Sequence, residues 1–176
     1  MRLRHALLRA ARDVLYDVSL AIVFVVLFVA FVAQAFRVEG PSMMPLLENG
    51  ERIIVYKLGY RLGPIQRGDV VVFWAPLDPS VSYIKRVVGL PGDRLVVRRG
   101  ALFVNGEAVR EPYLLARFRD DEDLGPLDVR PGHYFVMGDH RNGSNDSRSW
   151  GDVPARYIYG KAVWRFWPFR RMGRIG

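Results

Sequence analysis

The sequence predicts a mainly β protein, in which an N-terminal transmembrane helix precedes an antiparallel β-sheet or barrel-like domain. Two observations support this prediction. Residues 20–36 read LAIVFVVLFVAFVAQAF, an uncharged run close to the length needed to cross about 30 Å of hydrocarbon. After this run the helical period disappears, and short β-rich runs alternate with Gly, Pro and Asp. A chain of 176 residues has room for one domain beside such a helix.

The charges on either side of the apolar run predict its orientation. Four arginines lie in the first twelve residues, whereas Arg37 alone lies in the fifteen residues after the run. Cytoplasmic flanks are usually the more basic ones, so we expect a cytoplasmic N-terminus. The predicted organisation is a cytoplasmic segment (1–15), a transmembrane signal-anchor helix (16–36) and an extracytoplasmic β-rich catalytic domain (37–176).

The end of the apolar run also fits a processing site. Ala33-Gln34-Ala35 has the small-x-small pattern of signal-peptide cleavage, and a cut there would start the mature protein at Phe36. The apolar run is long for a cleavable segment. An uncleaved signal-anchor is therefore the favoured interpretation.

Seven runs rich in β-branched and aromatic residues predict the strands of the domain. They are Arg52–Lys57, Asp69–Trp74, Tyr83–Val88, Arg94–Arg98, Leu102–Val104, His133–Met137 and Lys161–Trp167. Asn105-Gly106 predicts a two-residue hairpin turn, since both residues tolerate positive φ. The acidic stretch between Arg117 and Arg130 is interpreted as an exposed, solvated loop.

Composition narrows the possible partners. A net charge of +8 favours an anionic partner, either nucleic acid or a lipid surface. The sequence contains no helix-turn-helix pattern, zinc-ligand spacing or basic–aromatic interleaving, so we expect no nucleic acid partner. The absence of cysteine excludes disulfides and thiolate chemistry, and no clustered His, Cys and Asp spacing implies a metal or cofactor.

Lys85 is the candidate general base. The chain has three lysines and otherwise uses arginine for positive charge, yet Lys85 lies within the apolar run YIKRVVGL. Burial disfavours the ammonium form, and lysine, unlike arginine, can lose its proton in a protein. A buried Lys85 would supply a neutral amine. The alternative is a structural lysine whose side chain extends into solvent.

Ser42 is the candidate nucleophile. It lies between Pro41 and Pro45, which restrict the loop, and among methionines and leucines that are unusual for a solvated loop. It also follows the predicted membrane span by six residues, so its substrate would lie at the bilayer surface. Serine is a weak nucleophile until a base takes its proton.

Histidine offers an alternative base. A Ser/His/Asp arrangement would use His140 with Asp139 or Asp146. His140 lies in a polar, turn-like cluster, where a charged or capping histidine is the plainer interpretation. Residues 138–151 (GDHRNGSNDSRSWG) hold more turn formers, serines and alternating Asp and Arg than a turn requires. They predict either a rigid polar loop in which Asp146 pairs with Arg148 or an ordinary surface loop.

Three segments, in this order, resemble the motifs of bacterial type I signal peptidase, the membrane-anchored Ser/Lys endopeptidase that removes signal peptides from exported proteins. Residues 40–57 (GPSMMPLLENGERIIVYK) resemble its nucleophile box. Residues 67–93 (RGDVVVFWAPLDPSVSYIKRVVGLPGD) resemble its general-base box, and residues 137–154 (MGDHRNGSNDSRSWGDVP) its C-terminal box. Three long motifs behind an N-terminal anchor are far more specific than any one of them.

The resemblance implies a role for each matching residue. Ser42 would be the nucleophile, Lys85 the general base, and Ser144 the residue that hydrogen-bonds and orients the lysine. The supporting polar network would be Asp139, Asp146 and Arg148. The candidate contacts with substrate or membrane are Pro41, Met43, which would pack near the catalytic pair, and Ile84.

Two positions depart from the family pattern. The family often has a serine two residues before the nucleophile that helps to bind the oxyanion, and here Gly40 stands there. The oxyanion region would then consist of Ser42 and Gly40, with another helper such as water. The usual asparagine of the last box is His140, which we interpret as a local polar exchange.

The resemblance also implies the activity and its setting. The enzyme would cut exported preproteins after small-x-small sites such as Ala-x-Ala, at the cell membrane and close to the Sec or Tat export machinery. Its partners would be signal peptides and the lipid bilayer. The rival interpretations are a mitochondrial inner-membrane processing peptidase, an SOS-repressor-type autoprotease, and a catalytically silent anchored β domain that binds peptides or anionic lipid.

Overall fold

The computed structural model describes residues 2–58, 60 and 63–175. Helix α1 spans Arg2–Phe31, and a short helix α2 spans Ser147–Trp150. Four 3₁₀ turns lie at Ala116–Phe118, Arg141–Gly143, Ala155–Tyr157 and Phe169–Arg171. The strands of the described residues are β1 (Ala33–Arg37), β2 (Arg52–Tyr56), β3 (Val70–Trp74), β4 (Ser82–Gly89), β5 (Arg94–Arg98), β6 (Ala101–Val104), β7 (Glu107–Ala108), β8 (Leu124–Asp128), β9 (His133–Met137), β10 (Val153–Pro154), β11 (Ile158–Trp167) and β12 (Gly173–Arg174).

The strands form two antiparallel sheets. The larger sheet has the order β1-β2-β11-β3-β4-β9-β10, with β12 paired to β11, and the smaller has the order β7-β6-β5-β8. The mainly β, antiparallel fold predicted from the sequence is therefore confirmed. All seven predicted runs coincide with strands, and the β6–β7 turn has positive φ at both Asn105 and Gly106, as predicted.

Helix α1 ends before the end of the predicted transmembrane span (16–36). It ends at Phe31, and residues 33–37 pair with β2 in the register Ala33↔Tyr56 to Arg37↔Arg52. In residues 33–37 backbone N–H and C=O groups form hydrogen bonds with β2. In a longer helix the same groups would bond within the helix. Within residues 2–58, 60 and 63–175, no helix combines the length and apolar character needed to cross a membrane.

Strand β3 carries the core of the larger sheet. Its residues 70–73 are all buried, and alternate side chains enter two different clusters. Val70 and Val72 pack with Met43 and Leu47, which belong to the connection between β1 and β2. Val71 and Phe73 pack on the opposite face of the strand. A third cluster, around Leu95, Leu102 and Phe135, joins the two sheets. Because both faces of β3 are covered, the strand is a continuous apolar run rather than an alternating one.

Strand β4 changes partners along its length. Residues 82–86 pair with β3, and the pairing with β9 begins at Arg86. On the side where β9 pairs with the second half of β4, the backbone edge of residues 82–85 is therefore open. This open edge lies beside the connection that follows β1. Lys85 lies at the end of this edge and Ser42 lies on the facing connection, so the change of partners opens the place where the candidate residues meet.

Candidate active site

Ser42 and Lys85 lie in contact. The Lys85 Nζ and Ser42 Oγ atoms are 2.8 Å apart, a hydrogen-bond distance, although 43 residues separate them in sequence. Lys85 Nζ also donates to the Ile84 carbonyl at 3.1 Å. The Lys85 side chain is buried, with 4% of the residue exposed. The structural alternative, a lysine extended into solvent, is therefore wrong.

Burial governs the proton affinity of Lys85. Desolvation lowers the pKa of its amine to about 8, while the charges of Asp146 and Asp139 act in the opposite direction. The desolvation effect is the larger one. An appreciable fraction of Lys85 is thus neutral near pH 8, and a neutral amine can accept the proton of the adjacent serine hydroxyl.

Asp139 pairs with Arg86. Arg86 donates through Nε to Asp139 Oδ1 at 2.8 Å and through Nη2 to Oδ2 at 2.6 Å, and both side chains are buried. The Tyr113 ring centroid lies 3.9 Å from the Arg86 guanidinium carbon. Such two-point contacts between buried charges are strong. Arg86 is a supporting residue that sequence reasoning missed, although its position directly after Lys85 in a buried strand was a usable signal.

Asp146 and Arg148 pair as the sequence predicts. Arg148 donates through Nε to Asp146 Oδ1 at 2.8 Å and through Nη2 to Oδ2 at 3.0 Å. Asp146 Oδ2 also accepts from the Gly138 amide at 2.9 Å, and Arg148 donates to the Arg141 carbonyl at 2.7 Å. These bonds fix the polar loop against the end of β9, so the rigid loop is observed rather than an ordinary surface loop.

The acidic stretch is only partly a solvated loop, which corrects the sequence interpretation. Asp120 forms a salt bridge with Arg148, and its side chain is 10% exposed. Residues 124–128 form β8. A second buried pair, Arg141 with Glu111, was also missed; Arg141 Nε further donates to the Gly138 carbonyl at 3.1 Å. Runs of charged residues in a sequence usually indicate an exposed surface. Here Asp120 and Arg141 are buried because each forms an ion pair with a residue far away in the chain.

His140 holds the nucleophile loop through backbone contacts. Its amide donates to the Ser42 carbonyl at 3.1 Å, and its Nδ1 lies 3.2 Å from the Pro41 carbonyl oxygen. The ring packs edge-on against Phe118 at 4.6 Å between centroids. Since Asp139 and Asp146 are both paired with arginines, neither orients His140 as a triad would require. The geometry brings Lys85, and not His140, to the serine hydroxyl.

Two arginines hold the other end of the same loop. Arg165 Nη1 donates to the Leu46 carbonyl at 2.6 Å, and Arg171 Nη2 donates to the carbonyls of Pro45 at 2.8 Å and Leu46 at 3.3 Å. Both arginines also form salt bridges with the buried Glu51. The loop is thus anchored on one side by the segment after β9 and on the other by the C-terminal segment, which sequence reasoning did not identify.

Ser144 lies beside the pair without the predicted hydrogen bond. Its hydroxyl is buried and forms no hydrogen bond with the described residues. A Cβ at Gly138 would lie 2.2 Å from Ser144 Oγ and 2.5 Å from the Ser42 carbonyl oxygen, so these three residues pack in direct contact. Glycine at 138 is therefore what allows Ser144 to approach the nucleophile loop.

Gly40 adopts a conformation that favours glycine, with φ of +82°. Its amide donates to Asn49 Oδ1 at 3.0 Å, so the N–H of Gly40, which sequence reasoning placed in the oxyanion region, is already engaged within the protein. Within the described part of the chain, the Ser42 amide donates no hydrogen bond. The Ser42 N–H is accordingly the donor available to an oxyanion.

A groove of about 440 Å³ runs past Ser42 and Lys85. Its walls come from the end of β1 and the segment after it, from the first half of β4, and from single residues of β2 and β3, and most of the lining is apolar. Ile84 lines the groove, as expected for a substrate contact. Met43 is 1% exposed and belongs to the core below, so its predicted contact with substrate or membrane is wrong. Pro41 is exposed and lies outside the groove lining.

A serine hydroxyl activated by a desolvated amine, on a β fold and beside an apolar groove, is the arrangement of a serine hydrolase. The sequence matches the family described as signal peptidase, peptidase S26, over residues 11–167. It is 44% identical over 153 residues to a signal peptidase I of Bacillus caldolyticus, covering 80% of this chain and 83% of that protein. It is 39% identical over 166 residues to a signal peptidase I of Leptolyngbya laminosa, covering 90% and 81%.

A solved structure agrees with these sequence matches. The crystal structure of a signal peptidase I from Enterococcus faecalis V583 has a TM-score of 0.51 and 31% identity, covering 57% of this chain and 98% of that chain. The chain therefore belongs to the signal peptidase family, peptidase S26. The family recognised from the three motifs and the predicted enzyme class, a peptidase, are both confirmed.

Peptide cleavage should rise with pH through about 8, the pKa of Lys85. Below that value the amine is protonated and cannot accept the serine proton; above it the amine is neutral and active. The measurement is kcat/KM for a signal-peptide substrate across the pH range in detergent. A rise in kcat/KM centred near pH 10.5, the ordinary pKa of lysine, would contradict a desolvated base.

Arg171→Ala should lower kcat about 10- to 100-fold, because a nucleophile displaced by a fraction of an ångström reacts poorly. The pH midpoint should stay at about 8, since the surroundings of Lys85 are unchanged. Steady-state kinetics over a pH series measure both quantities. The matched control is Arg170→Ala, at the exposed neighbouring position. Equal losses in the two variants would refute a positioning role for Arg171.

Gly40→Ser and Gly40→Ala should each lower the free energy of unfolding by about 1–2 kcal/mol, because any Cβ is strained at this positive φ. Space is not the cause, since no atom lies within 4 Å of a Cβ built at Gly40. Denaturant unfolding of the solubilised protein measures the change. Unaltered stability in both variants would show that the backbone strain is absent in solution.

Proposed function

We propose that this chain is a membrane-anchored serine endopeptidase that cleaves signal peptides from exported preproteins, with Ser42 as nucleophile and Lys85 as general base. The observation that carries the proposal is the 2.8 Å contact between Ser42 Oγ and the buried Lys85 Nζ. Membership of the signal peptidase family supplies the substrate class. The chemistry requires these two side chains and one water molecule.

The reaction has two halves. In the first, neutral Lys85 takes the proton of Ser42 as Oγ attacks the scissile carbonyl, and the resulting ammonium returns that proton to the leaving amine. In the second, Lys85 takes a proton from water as the water oxygen attacks the acyl-serine, and the ammonium then returns that proton to the departing Ser42 Oγ, which restores both side chains. The Ser42 N–H stabilises the oxyanion in both halves. Ser144, whose buried hydroxyl packs beside the nucleophile loop, is proposed to orient the Lys85 amine.

The groove accounts for specificity toward small side chains. A substrate in extended conformation would add to the open edge of residues 82–85, where main-chain hydrogen bonds give affinity. Alternate residues of a strand point to the same side, so the first and third residues before the cut enter the same wall. Val38, Ile53 and Ile84 are among the apolar residues that line the groove on which such side chains would pack. Small-x-small sites fit this periodicity.

The enzyme is proposed to sit at the cell membrane, with residues 1–15 cytoplasmic and 37–176 outside. The side chains of α1 between Val14 and Phe28 are largely apolar and exposed, and a lipid environment would cover them. A second exposed group lies at the other end of the chain, at Trp164, Trp167 and Phe169. Aromatic side chains of this kind suit the headgroup region. Anchoring places enzyme and signal peptide in one membrane plane, close to the export machinery.

Substituting each member of the pair tests the assignment. Ser42→Ala should abolish preprotein cleavage, and Lys85→Ala should lower kcat by roughly 100- to 10,000-fold, the usual contribution of a general base. Lys85→Arg should be equally impaired because a guanidinium keeps its proton. The assay is cleavage of a preprotein with an Ala-x-Ala site by the purified full chain in detergent.

Controls separate the rival interpretations. His140→Gln should retain most activity, whereas a loss as large as that of Lys85→Ala would favour a histidine base. Ser80→Ala, at an exposed serine, is the matched control for Ser42→Ala. Failure of the unmodified protein to cut any preprotein, despite native folding, would favour a silent peptide-binding module.

A further inference from the structure

Two charged side chains of opposite sign line the substrate groove outside the catalytic pair. They are Arg37, at the end of β1, and Glu39, two residues further along the chain. Both residues are exposed, and neither side chain forms a hydrogen bond or an ion pair with the described residues. The proposed reaction uses neither of them. Two unpaired charges in a mostly apolar groove therefore need their own explanation.

The side chains of Arg37 and Glu39 lie on the same face of their segment. Residues of an extended chain alternate between two faces, so positions 37 and 39 share one face and position 38 has the other. The burial agrees, because Val38 is 4% exposed and belongs to the core cluster that contains Met43, whereas both its neighbours are exposed. The segment therefore has an apolar inner face and a charged outer face.

The backbone of the same segment offers an open edge. The Val38 amide donates to the Glu51 carbonyl at 2.8 Å, and the Val38 carbonyl accepts from the Gly50 amide at 2.8 Å. Neighbouring residues of a strand direct their N–H and C=O groups to opposite edges, so those of Arg37 and Glu39 face away from β2. Because β1 is the end strand of the larger sheet, this second edge has no strand partner among the described residues.

A substrate strand between this edge and the open edge of residues 82–85 has a defined direction. Each step in the order β1-β2-β11-β3-β4 is antiparallel, and an even number of reversals leaves β1 and β4 pointing the same way. Both segments therefore run along the chain towards Ser42 and Lys85. The small residues of the substrate precede the cut, and the apolar lining at Val38 and Ile84 precedes the catalytic pair. The substrate thus runs parallel to both segments.

The alternation of side chains then gives each outward-facing substrate residue a neighbour. The first and third residues before the cut face inward, as Val38 does, so the middle residue of small-x-small faces outward. With the first residue beside Gly40, the middle residue lies beside Glu39 and the fourth residue before the cut lies beside Arg37. Arg37 is opposite Arg52 in the ladder with β2, and both are exposed, so the fourth residue meets two cations.

We propose that Glu39 and Arg37 set a charge preference along the signal peptide, which rests on the proposed function because it concerns the substrate of the same site. Glu39 favours a basic middle residue, and Arg37 favours an acidic residue four positions before the cut. The small residues face the core and the charges face outward, so this preference adds to the small-x-small requirement. Water and salt screen exposed charges, so each contact should change affinity about two- to fivefold.

Peptide binding to the full chain carrying Ser42→Ala tests the preference without cleavage, so failure of the proposed catalysis does not affect the result. The probes are fluorescent signal peptides in detergent that differ only in a lysine, glutamine or glutamate at the middle position of Ala-x-Ala. Fluorescence anisotropy measures Kd. The lysine peptide should bind about two- to tenfold more tightly than the glutamate peptide at low salt, and the ratio should approach one in about 1 M salt. Glu39→Gln should remove this ratio, and Glu39→Arg should invert it.

The ratio of affinities separates a charge contact from a structural effect, because a distorted groove would weaken all three peptides equally. The matched control is Glu107→Arg, at an exposed carboxylate on β7 of the smaller sheet, which should keep the ratio of the unmodified chain. Equal changes in Glu39→Arg and Glu107→Arg would reduce the effect to net charge and overturn the proposal. Equal affinity for the three peptides would overturn it as well, while leaving the proposed function intact.

A second peptide series, with lysine or glutamate four positions before the cut, tests the register. Glutamate should bind more tightly there, and Arg37→Glu should invert this order while the preference at the middle position persists. A middle-position preference that responds to Arg37→Glu and not to Glu39→Arg would shift the substrate by two residues and overturn the assignment. On the active chain, kcat/KM for cleavage of the same peptides should follow the order of their affinities.

Discussion

The proposed chemistry depends on keeping the Lys85 amine buried beside the Ser42 hydroxyl. Lys85 lies near Asp139 and Asp146, and two unpaired carboxylates would hold it protonated. Each carboxylate has a two-point arginine partner, Arg86 or Arg148. Burial is the largest influence on the pKa of the amine, which it lowers to about 8.

The nucleophile loop is held as firmly as the base. The His140 backbone binds the Ser42 carbonyl on one side, and Arg165 and Arg171 bind the loop carbonyls on the other. These anchors come from segments about 100 and 120 residues further along the chain. A flexible serine would lose the contact with Lys85 for much of the time, so distant parts of the sequence contribute directly to reactivity.

Much of the fold and the central pair could be predicted because their signals are local. Strand periodicity located seven strands, since burial of alternate or continuous apolar residues follows directly from sheet geometry. The short strands β8, β10 and β12 were missed because their sequences carry little apolar pattern of their own. Residues 33–37 looked helical because they continue an apolar run, and pairing with β2 made them a strand.

The sequence by itself determined the family, the mainly β class and the two residues, Ser42 and Lys85, whose chemistry is unusual for their surroundings. Tertiary structure alone decided the ion pairs between charges that lie far apart in the chain. It paired Arg86 with Asp139, Arg141 with Glu111 and Arg148 with Asp120, and it buried Met43 in the core. The physical reason is that an ion pair or a buried side chain depends on partners brought together by strand order, and a linear charge pattern does not encode that order.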